Sequence, residues 1–201
     1  MTHSKHKKPI AKLTLAIIVS MLGQNLWACN KPEVSDKYEV VDCLYEGLAG
    51  VKKDGKFGFI DEVGTVIIPL QFDGAWPFVE GLAIVKKGGK WGFIDKNGAV
   101  LIPFQYNYAW PFSEGLAGVE KDGKWGFIDK TGKTVVPFEY NSAMSFSEGL
   151  AGVEKDDKWG FIDKTGGLII PFQYDYVQLF NEGLAKAQKD GQWITITKPE
   201  T

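Results

Sequence analysis

The chain has 201 residues, of which 44% are hydrophobic and 24% are charged, and its formal net charge is −2 at pH 7. It contains no arginine, so it lacks the clustered guanidinium groups with which many nucleic-acid-binding proteins contact phosphates. The composition therefore argues against nucleic acid as a partner, and the length is sufficient for one or two domains.

Residues 1–28 have the composition of an export signal. Basic residues come first, and an apolar run of about ten residues, Leu13–Leu22, follows them in the order typical of a signal peptide. A membrane-spanning helix needs about 20 apolar residues, so this run is too short for one. Without residues 1–28, 19 basic and 25 acidic residues remain, which gives a formal charge of −6. We predict that residues 1–28 are a signal peptide and that the chain is exported.

The predicted signal peptide ends in Leu26-Trp27-Ala28-Cys29, which resembles the bacterial lipobox. The resemblance implies a lipid on Cys29, with residues 29–37 as a polar tether. The alternative is ordinary cleavage after Ala28, which leaves Cys29 to pair with Cys43, the only other cysteine, in an oxidising compartment. We predict a lipoprotein of the bacterial cell envelope, in contact with a membrane only through the lipid. A secreted or periplasmic protein is the alternative.

A tetrapeptide, Glu-Gly-Leu-Ala, recurs with a constant spacing of 34 residues. Its five copies begin at Glu46, Glu80, Glu114, Glu148 and Glu182. Such a period indicates an array whose units bury their apolar faces against their neighbours. An aromatic residue with the same spacing places the starts of the units at Tyr38, Phe72, Tyr106, Tyr140 and Tyr174. We predict an array over residues 38–201, with four full units and a partial capping unit.

The first half of each unit has the pattern of a β-hairpin. In the first unit, Leu48–Lys52 precedes the turn pair Asp54-Gly55, which suits the positive φ angles of a type I′ turn. This turn places Val51 opposite Gly58, so that aliphatic residues lie on one face of the hairpin and aromatic residues on the other. Glycine beside or opposite these rings lets them lie flat across the backbone.

A short loop and a third strand complete the unit. Asp61 is followed three residues later by Gly64, which is the chemistry of a turn. Val66–Ile68 then forms an apolar strand that ends at Pro69, and its unbroken apolar run predicts burial on both faces. We therefore predict an all-β fold of tandem three-stranded antiparallel β-meanders.

The ends of the array bear on how the units are arranged. The fifth unit lacks the apolar third strand and its proline, as expected for a cap. A closed β-propeller commonly completes its last blade with a strand from the other terminus, but Lys31–Lys37 is polar and supplies none. We predict an open superhelical, solenoid-like stack, with a five-bladed β-propeller-like fold as the alternative.

A second motif joins the tetrapeptide in these units. Gly89-Lys90-Trp91-Gly92-Phe93-Ile94-Asp95 has close copies at residues 123–129 and 157–163, and an aliphatic pair precedes each proline. From Tyr38 to Trp193 this combination resembles the bacterial WG-repeat, or KWG-repeat, family. The resemblance implies an often exported β-rich module with a binding role and no common catalytic activity, so no catalytic residues are carried over.

The tryptophans are the candidate binding residues. One in nearly every unit is explained most simply by packing between units, although such a row could also line a groove for a glycan or peptide. Two others occur only in the second and third units, and positions that vary between copies are freer of packing demands. The candidates are the recurring Trp91, Trp125 and Trp159 and the non-recurring Trp76 and Trp110.

Metal and cofactor chemistry is not predicted. Each repeated loop supplies one aspartate, at Asp61, Asp95, Asp129 and Asp163, whereas calcium needs six to eight oxygen ligands. These aspartates are better interpreted as turn residues. We predict no metal site and no cofactor.

The equipment for catalysis is sparse. Both histidines, His3 and His6, precede the predicted cleavage site, so the mature chain has no imidazole for general-base work. We predict a non-enzymatic binding or scaffold protein with a protein or glycan partner and no catalytic residue. The alternative is a hydrolase of cell-wall or surface polysaccharide that uses acids such as Glu39, Asp42 or Glu139.

Overall fold

The computed structural model describes residues 29–32 and 34–200, so the predicted signal peptide lies outside the described residues. Within this part of the chain the fold is all-β, and its only helix is a three-residue 3-10 helix, Ser35–Lys37. No helix among these residues is long and apolar enough to cross a membrane.

Five antiparallel sheets follow one another along the chain in step with the predicted units. The first contains β1 (Val40–Val41), β2 (Ala49–Lys53), β3 (Lys56–Ile60) and β4 (Val66–Phe72). The second contains β5 (Gly74–Ala75), β6 (Ala83–Lys87), β7 (Lys90–Ile94) and β8 (Val100–Tyr106). The third contains β9 (Tyr108–Ala109), β10 (Leu116–Lys121), β11 (Lys124–Asp129) and β12 (Thr134–Tyr140). The fourth contains β13 (Ser142–Ala143), β14 (Leu150–Lys155), β15 (Lys158–Asp163) and β16 (Leu168–Tyr174), and the fifth contains β17 (Tyr176–Val177), β18 (Leu184–Lys189) and β19 (Gln192–Thr197).

Each predicted three-stranded meander gains a short additional strand. The segment that enters a unit contributes two residues, such as Gly74–Ala75, which pair with the first long strand of the next hairpin. The first four sheets therefore have four strands and the fifth has three. A two-residue strand has too little alternation to be recognised in the sequence.

The predicted hairpin register is confirmed. Val51 lies opposite Gly58, and Lys52 lies opposite Phe57. Asp54 and Gly55 have φ angles of 50° and 73°, as a type I′ turn requires. A turn of this type has a twist that matches the strands, so the turn pair alone is enough to fix which residues face each other.

The Glu-Gly pair of the repeated tetrapeptide forms a second tight turn. Glu46 and Gly47 have φ angles of 51° and 89°, and Tyr45 and Leu48 exchange both backbone hydrogen bonds across them. The corresponding glutamates of the other four units have φ angles of 52° to 55°. Positive φ is unfavourable for a residue with a β-carbon, but both central positions of this type of turn require it.

The third strand is longer and more exposed than the sequence predicts. It continues through Pro69 to Phe72, and Val66 and Ile67 are 45% and 40% exposed, so the prediction of burial on both faces was wrong. The strand lies at the edge of its sheet, where one side of the backbone has no partner strand. A proline can be accommodated at such an edge because no neighbouring strand needs its missing N–H.

The glycine inside the second long strand allows a close backbone approach. A β-carbon at Gly126 would lie 2.7 Å from the Val136 carbonyl oxygen and 3.0 Å from the backbone of Pro137. The register between β11 and β12 shifts at this point. The third strand thus crosses directly over the glycine, and this contact, more than the flat rings proposed from the sequence, accounts for the residue.

Consecutive sheets pack face to face. Phe59, Ile68 and Phe72 of the first sheet form one cluster with Ala83 and Val85 of the second. Equivalent clusters join the second sheet to the third, the third to the fourth and the fourth to the fifth. Each sheet therefore gives its aromatic face to the following unit and its aliphatic face to the preceding one.

The outer face of the first sheet is partly covered by the segment before it. Val34 and Tyr38 of that segment pack against the buried residues of this face, together with Val41 of β1 and Leu44. A β-carbon at Gly64 would lie 2.5 Å from Val34, just as Ile68 borders Gly98 one unit later. Val34 thus occupies the place of a preceding third strand, although it lies within the segment 29–37 that the sequence predicts as a tether.

The fifth sheet ends the array with a polar face. Lys186 and Thr195 stand where the third unit has Gly118 and Phe127, and the Lys186 ammonium donates to the Thr195 hydroxyl at 2.7 Å. Trp193, on the same face, is 53% exposed. Since this face does not pack against the first sheet, the described part of the chain forms the predicted open stack, not a closed ring.

Candidate binding surface

An aromatic row runs through the array where each hairpin meets the short entering strand. In the third unit, Tyr108, Glu120 and Trp125 lie side by side on three neighbouring strands. The Tyr108 ring lies between two tryptophans, with centroid distances of 6.2 Å to Trp91 of the second unit and 5.8 Å to Trp125. The row therefore connects successive units through alternating tyrosine and tryptophan rings.

The structure brings three of the five predicted binding residues together. Trp110 and Trp125 stack at 5.9 Å with an interplanar angle of 22°, and Trp91 joins them through Tyr108. Trp159 belongs to a separate cluster, in which Tyr176 lies 5.6 Å from it. Trp76 packs at the margin of the cluster between the second and third units. The five predicted residues thus do not form one continuous site.

Burial separates the five residues into two groups. Trp110, Trp125 and Trp159 are at most 9% exposed, and the Trp110 indole N–H donates to the Ala143 carbonyl of the next unit at 2.9 Å. Their position agrees with the packing role considered for the recurring tryptophans. Trp76 and Trp91 are only half-buried, so they are the members of the group that solvent reaches.

The charge beside the aromatic row changes sign along the array. Opposite the aromatic residue of each unit lie, in order, Lys52, Lys86, Glu120, Glu154 and Gln188. The Lys52 ammonium lies 5.9 Å from the centroid of the Phe57 ring, and the Lys86 ammonium lies 5.6 Å from that of Trp91. Burial, and secondarily the Asp157 carboxylate, raise the pKa of Glu154. Units of nearly identical fold thus present a cationic and then an acidic aromatic surface.

The tyrosine of the row is absent from three units. Val40 stands in its place in the first unit, Gly74 in the second and Ser142 in the fourth. A β-carbon at Gly74 would lie 3.3 Å from Cη2 of Trp91 and 3.4 Å from Cβ of Lys86. The rings of Phe57 and Trp91 consequently have no tyrosine between them. We call these two rings, Gly74, Lys52 and Lys86 the cationic aromatic site.

The lysines of the second unit have few acidic partners. Lys87 and Lys90 donate to neutral amide oxygens of Gln71 and Asn107, at 3.2 and 3.0 Å. Asp73 is the acid nearby, and its carboxylate accepts from the Lys56 ammonium at 2.6 Å, which lowers its pKa. Lys52 contacts Glu39 at 3.3 Å. Lys86 forms no close ion pair with any described residue, although its charge also helps to lower the pKa of Asp73, and its ammonium lies beside the Trp91 ring.

The repeated aspartates are turn residues, as predicted. The Asp129 carboxylate accepts from the backbone N–H groups of Thr131 and Lys133 at 2.9 and 3.1 Å, and from the Thr131 hydroxyl. These bonds lower the pKa of Asp129. No group of three potential metal-ligating side chains occurs in residues 29–32 and 34–200.

The acids considered for hydrolysis are not brought together by any described contact. Glu39 binds Lys52, which lowers the Glu39 pKa, and Glu139 binds Lys155 at 2.8 Å. Burial raises the pKa of Asp42, partly offset by the Lys31 ammonium. Asp42 occupies the position of Trp76 and Trp110 in its unit, at a spacing of 34 residues.

Sequence reasoning missed the role of the repeated glutamate. The Glu114 carboxylate accepts from the Gly149 backbone N–H of the next unit at 3.0 Å and pairs with the Lys164 ammonium at 2.9 Å. Glu46, Glu80 and Glu148 contact the next glycine in the same way. The Glu-Gly pair and the lysines that contact it, Lys96, Lys130 and Lys164, both recur every 34 residues. This shared spacing is the only sequence signal that could have suggested the connection.

Both cysteines of the chain, Cys29 and Cys43, lie among the first residues that the structure describes. Neither is a free thiol, because Cys29 and Cys43 are each disulfide-bonded. This state corresponds to the alternative in which the signal peptide is cleaved without lipid attachment. A sulfur in a disulfide cannot also carry a lipid thioether, so the two fates of Cys29 exclude each other.

Comparison with known families agrees with this repeat geometry. The model of the WG containing repeat matches residues 34–57, 57–91, 91–125, 125–159 and 159–193. The chain belongs to the WG-repeat family. The first match begins at Val34, the residue that covers the outer face of the first sheet of this WG-repeat array.

Solved structures resemble the WG-repeat array in fold alone. Hsv2 of Kluyveromyces lactis is 10% identical, with a TM-score of 0.53, and the match covers 80% of this chain and 61% of that one. The extracellular domain of the one-component system BT4673 from B. thetaiotaomicron is 15% identical, with a TM-score of 0.47, over 79% of this chain and 26% of that one. The array therefore spans less than two thirds of either protein. No curated protein is significantly similar to it in sequence.

Proposed function

We propose that this WG-repeat chain is an exported, non-enzymatic binding or scaffold protein of the cell envelope that presents its array to a protein or glycan partner. The observation that carries the proposal is the aromatic row, whose flanking charge changes from lysine to glutamate between units of the same fold. Packing alone does not require such a change, because these flanking side chains are half-exposed. A surface that differs between otherwise equivalent units is suited to selecting a partner.

The remaining repeated polar residues have structural roles that support a binding function over a catalytic one. The aspartates close the loops, and the glutamates join neighbouring units. The hydrolase alternative has less support, since Glu39 and Glu139 are each engaged by a lysine. Turnover of an envelope polysaccharide by the mature chain, lost on substitution Asp42→Asn, would favour the hydrolase.

Retention of envelope material tests the binding function. The mature chain from Cys29 is immobilised through a C-terminal tag and exposed separately to envelope protein and envelope polysaccharide fractions. We expect saturable retention from one fraction, which the soluble chain competes away. A heat-unfolded chain on the same support is the control. If neither fraction is retained, or if the unfolded chain retains as much, the proposed function is overturned.

Localisation is tested separately from binding. We propose that the chain reaches the envelope by the predicted signal peptide. A lipid on Cys29 would hold it there only in molecules that lack the disulfide at Cys29, and release as a soluble protein is the alternative for molecules that keep it. Cell fractionation followed by carbonate extraction distinguishes a lipid-anchored protein from a released one. Recovery of the full-length precursor in the cytoplasm would contradict export.

A further inference from the structure

The cationic aromatic site has features that the equivalent places in the other units lack. Tyr176 lies between Trp159 and Trp193 in the fifth unit, at 5.6 and 6.1 Å, and Tyr108 fills the same place in the third. Gly74 leaves the corresponding place between Phe57 and Trp91 without a side chain. Both of these rings are half-exposed, so their apolar surfaces are accessible from solvent.

The fourth unit provides an internal comparison. Its residue at the tyrosine position is also small, Ser142, but the adjacent Trp125 and Trp159 are only 9% and 6% exposed. The side chains opposite these two tryptophans are Glu120 and Glu154. Among the described places between two consecutive units, accessible rings with a lysine over each therefore occur only where the first and second units meet.

Two lysines beside two rings define the chemistry of a ligand. The ammonium groups of Lys52 and Lys86 lie within 6 Å of the ring centroids, at 5.9 and 5.6 Å, close enough to contact an anion bound against the rings. An ammonium is a compact point charge that suits a single carboxylate. The aromatic surface suits a partner with a flat apolar face, such as the C–H face of a sugar ring.

We propose that the cationic aromatic site, formed by Lys52, Phe57, Gly74, Lys86 and Trp91, binds a carboxylate-bearing sugar of an acidic polysaccharide. The sugar ring packs on the aromatic side chains at Gly74, its carboxylate pairs with Lys86, and the carboxylate of a neighbouring sugar pairs with Lys52. Glu39, which contacts Lys52 at 3.3 Å, is displaced from that lysine by the ligand carboxylate. This inference rests on the proposed binding function and specifies the class of partner.

Calorimetric titration of the mature chain with short oligogalacturonates tests the proposal. The same oligomers with methyl-esterified carboxyl groups keep the sugar rings and remove the charge. A poly-glutamate peptide of equal charge keeps the carboxylates and removes the rings. We expect measurable binding of the free acid only. Equal binding of the peptide would show an acidic-peptide site, and binding of none of the probes would overturn the proposal.

Substitutions taken from other units of the chain locate the site without introducing foreign residues. Lys86→Glu copies Glu120, and we expect it to weaken oligogalacturonate binding about tenfold or more. Lys121→Glu makes the same charge change at an exposed turn lysine with no ring beneath it, and we expect less than about a twofold effect. Equal losses of affinity in the two variants would show that binding depends only on the net charge of the chain, which would contradict the site.

A variant that fills the site distinguishes ring packing from charge attraction. Gly74→Tyr copies Tyr108 and keeps every lysine, and we expect it to abolish binding because the tyrosine covers the rings. Gly74→Val, which copies Val40 of the first unit, is the variant used if the tyrosine lowers the thermal stability, since its branched side chain still covers part of the Trp91 ring. Unchanged affinity in the folded Gly74 variant would overturn the proposal. If these variants keep their oligogalacturonate affinity and still retain envelope material, the site inference fails while the proposed function stands.

Discussion

The carboxylate of Glu46 accepts a hydrogen bond from the backbone N–H of Gly81, 35 residues later, at 3.1 Å. Gly81 belongs to the next copy of the same Glu-Gly turn, so each turn is connected to its successor. The Lys96 ammonium adds contacts to the Glu46 carbonyl and carboxylate, at 3.0 and 3.1 Å. In four of the five units a bond of this kind offsets the cost of a positive φ angle, at which most residues are disfavoured.

Removal of one glutamate from this series should weaken the array. Glu114→Ala loses the bonds to Gly149 and Lys164, and we expect it to lower the free energy of unfolding by about 1–2 kcal/mol. Glu182→Ala is the matched control, because Glu182 has nearly the same φ angle, 53° against 54°, and no side-chain partner in the described chain. Urea denaturation measures both variants, and equal losses would show that only the backbone conformation matters.

Substitution of the glycine under the third strand should be more damaging. Gly126→Ala places a methyl group 2.7 Å from the Val136 carbonyl oxygen, and we expect a loss of about 2–3 kcal/mol. Gly123→Ala is the comparison, since its β-carbon meets no atom within 4 Å and its cost comes only from a φ angle of 79°. Thermal unfolding should place the Gly126 variant below the Gly123 variant, and the reverse order would contradict the close approach.

The hairpin turn of the fourth unit, Asp156-Asp157, should allow a substitution that stabilises the fold. Asp157 has a φ angle of 60° at the position where the other four units have glycine. Asp157→Gly should raise the free energy of unfolding by about 0.5–1 kcal/mol, since glycine adopts this conformation without steric cost. It should also lower the pKa of Glu154, because the repulsion from Asp157 disappears. Asp156→Gly, at the first turn position, is the control and should stabilise less.

Asp42 should make stability depend on pH. Burial raises its folded-state pKa above the unfolded value, so the protonated form is favoured by folding. The unfavourable contribution is absent below the ordinary aspartate pKa, grows as the pH rises to the raised folded-state pKa and is then constant. Asp42→Asn should therefore stabilise the chain at neutral pH and have little effect at pH 3. Denaturant titrations at both pH values check this, and equal effects at both would argue against it.

Alkylation and intact-mass measurement of the mature protein can determine whether Cys29 is in a disulfide or carries a lipid. If the disulfide-bonded state is the mature one, iodoacetamide should label neither of the two cysteines before reduction and both after it. If a lipid is attached, only Cys43 should be labelled, and the intact mass should include the diacylglyceryl group. The two results cannot hold for the same molecule, so one measurement separates the anchored from the soluble alternative.

The sequence was sufficient to predict those features that depend only on residues close together in the chain. The pair Asp54-Gly55 dictates its own turn geometry, and the register of Val51 with Gly58 follows from it. It was insufficient for Val66 and Ile67, because an apolar run does not reveal whether its strand lies inside a sheet or at the edge. The contact between Glu46 and Gly81 was also missed, since hydrogen bonds between distant residues leave no short pattern.

The candidate site was predictable only in part. The tryptophans were identifiable from their recurrence, and the residues opposite them follow from the predicted register. Which rings stay accessible depends on the neighbouring side chain, and Gly74 differs from Tyr108 in a connecting segment where the sequence predicts no strand. The two-residue strand that positions Gly74 beside Lys86 had to be observed.

The contact between Val34 and Gly64 repeats the contact between Ile68 and Gly98, with a valine from an irregular segment in place of a strand residue. Every main interface of the array therefore uses residues of adjacent units only, with the same geometry each time. Duplication of one 34-residue unit would insert a further copy of that interface and disturb none of the existing ones. The length of the array can therefore change by whole 34-residue units, in evolution or by design, without any change to its first and last units.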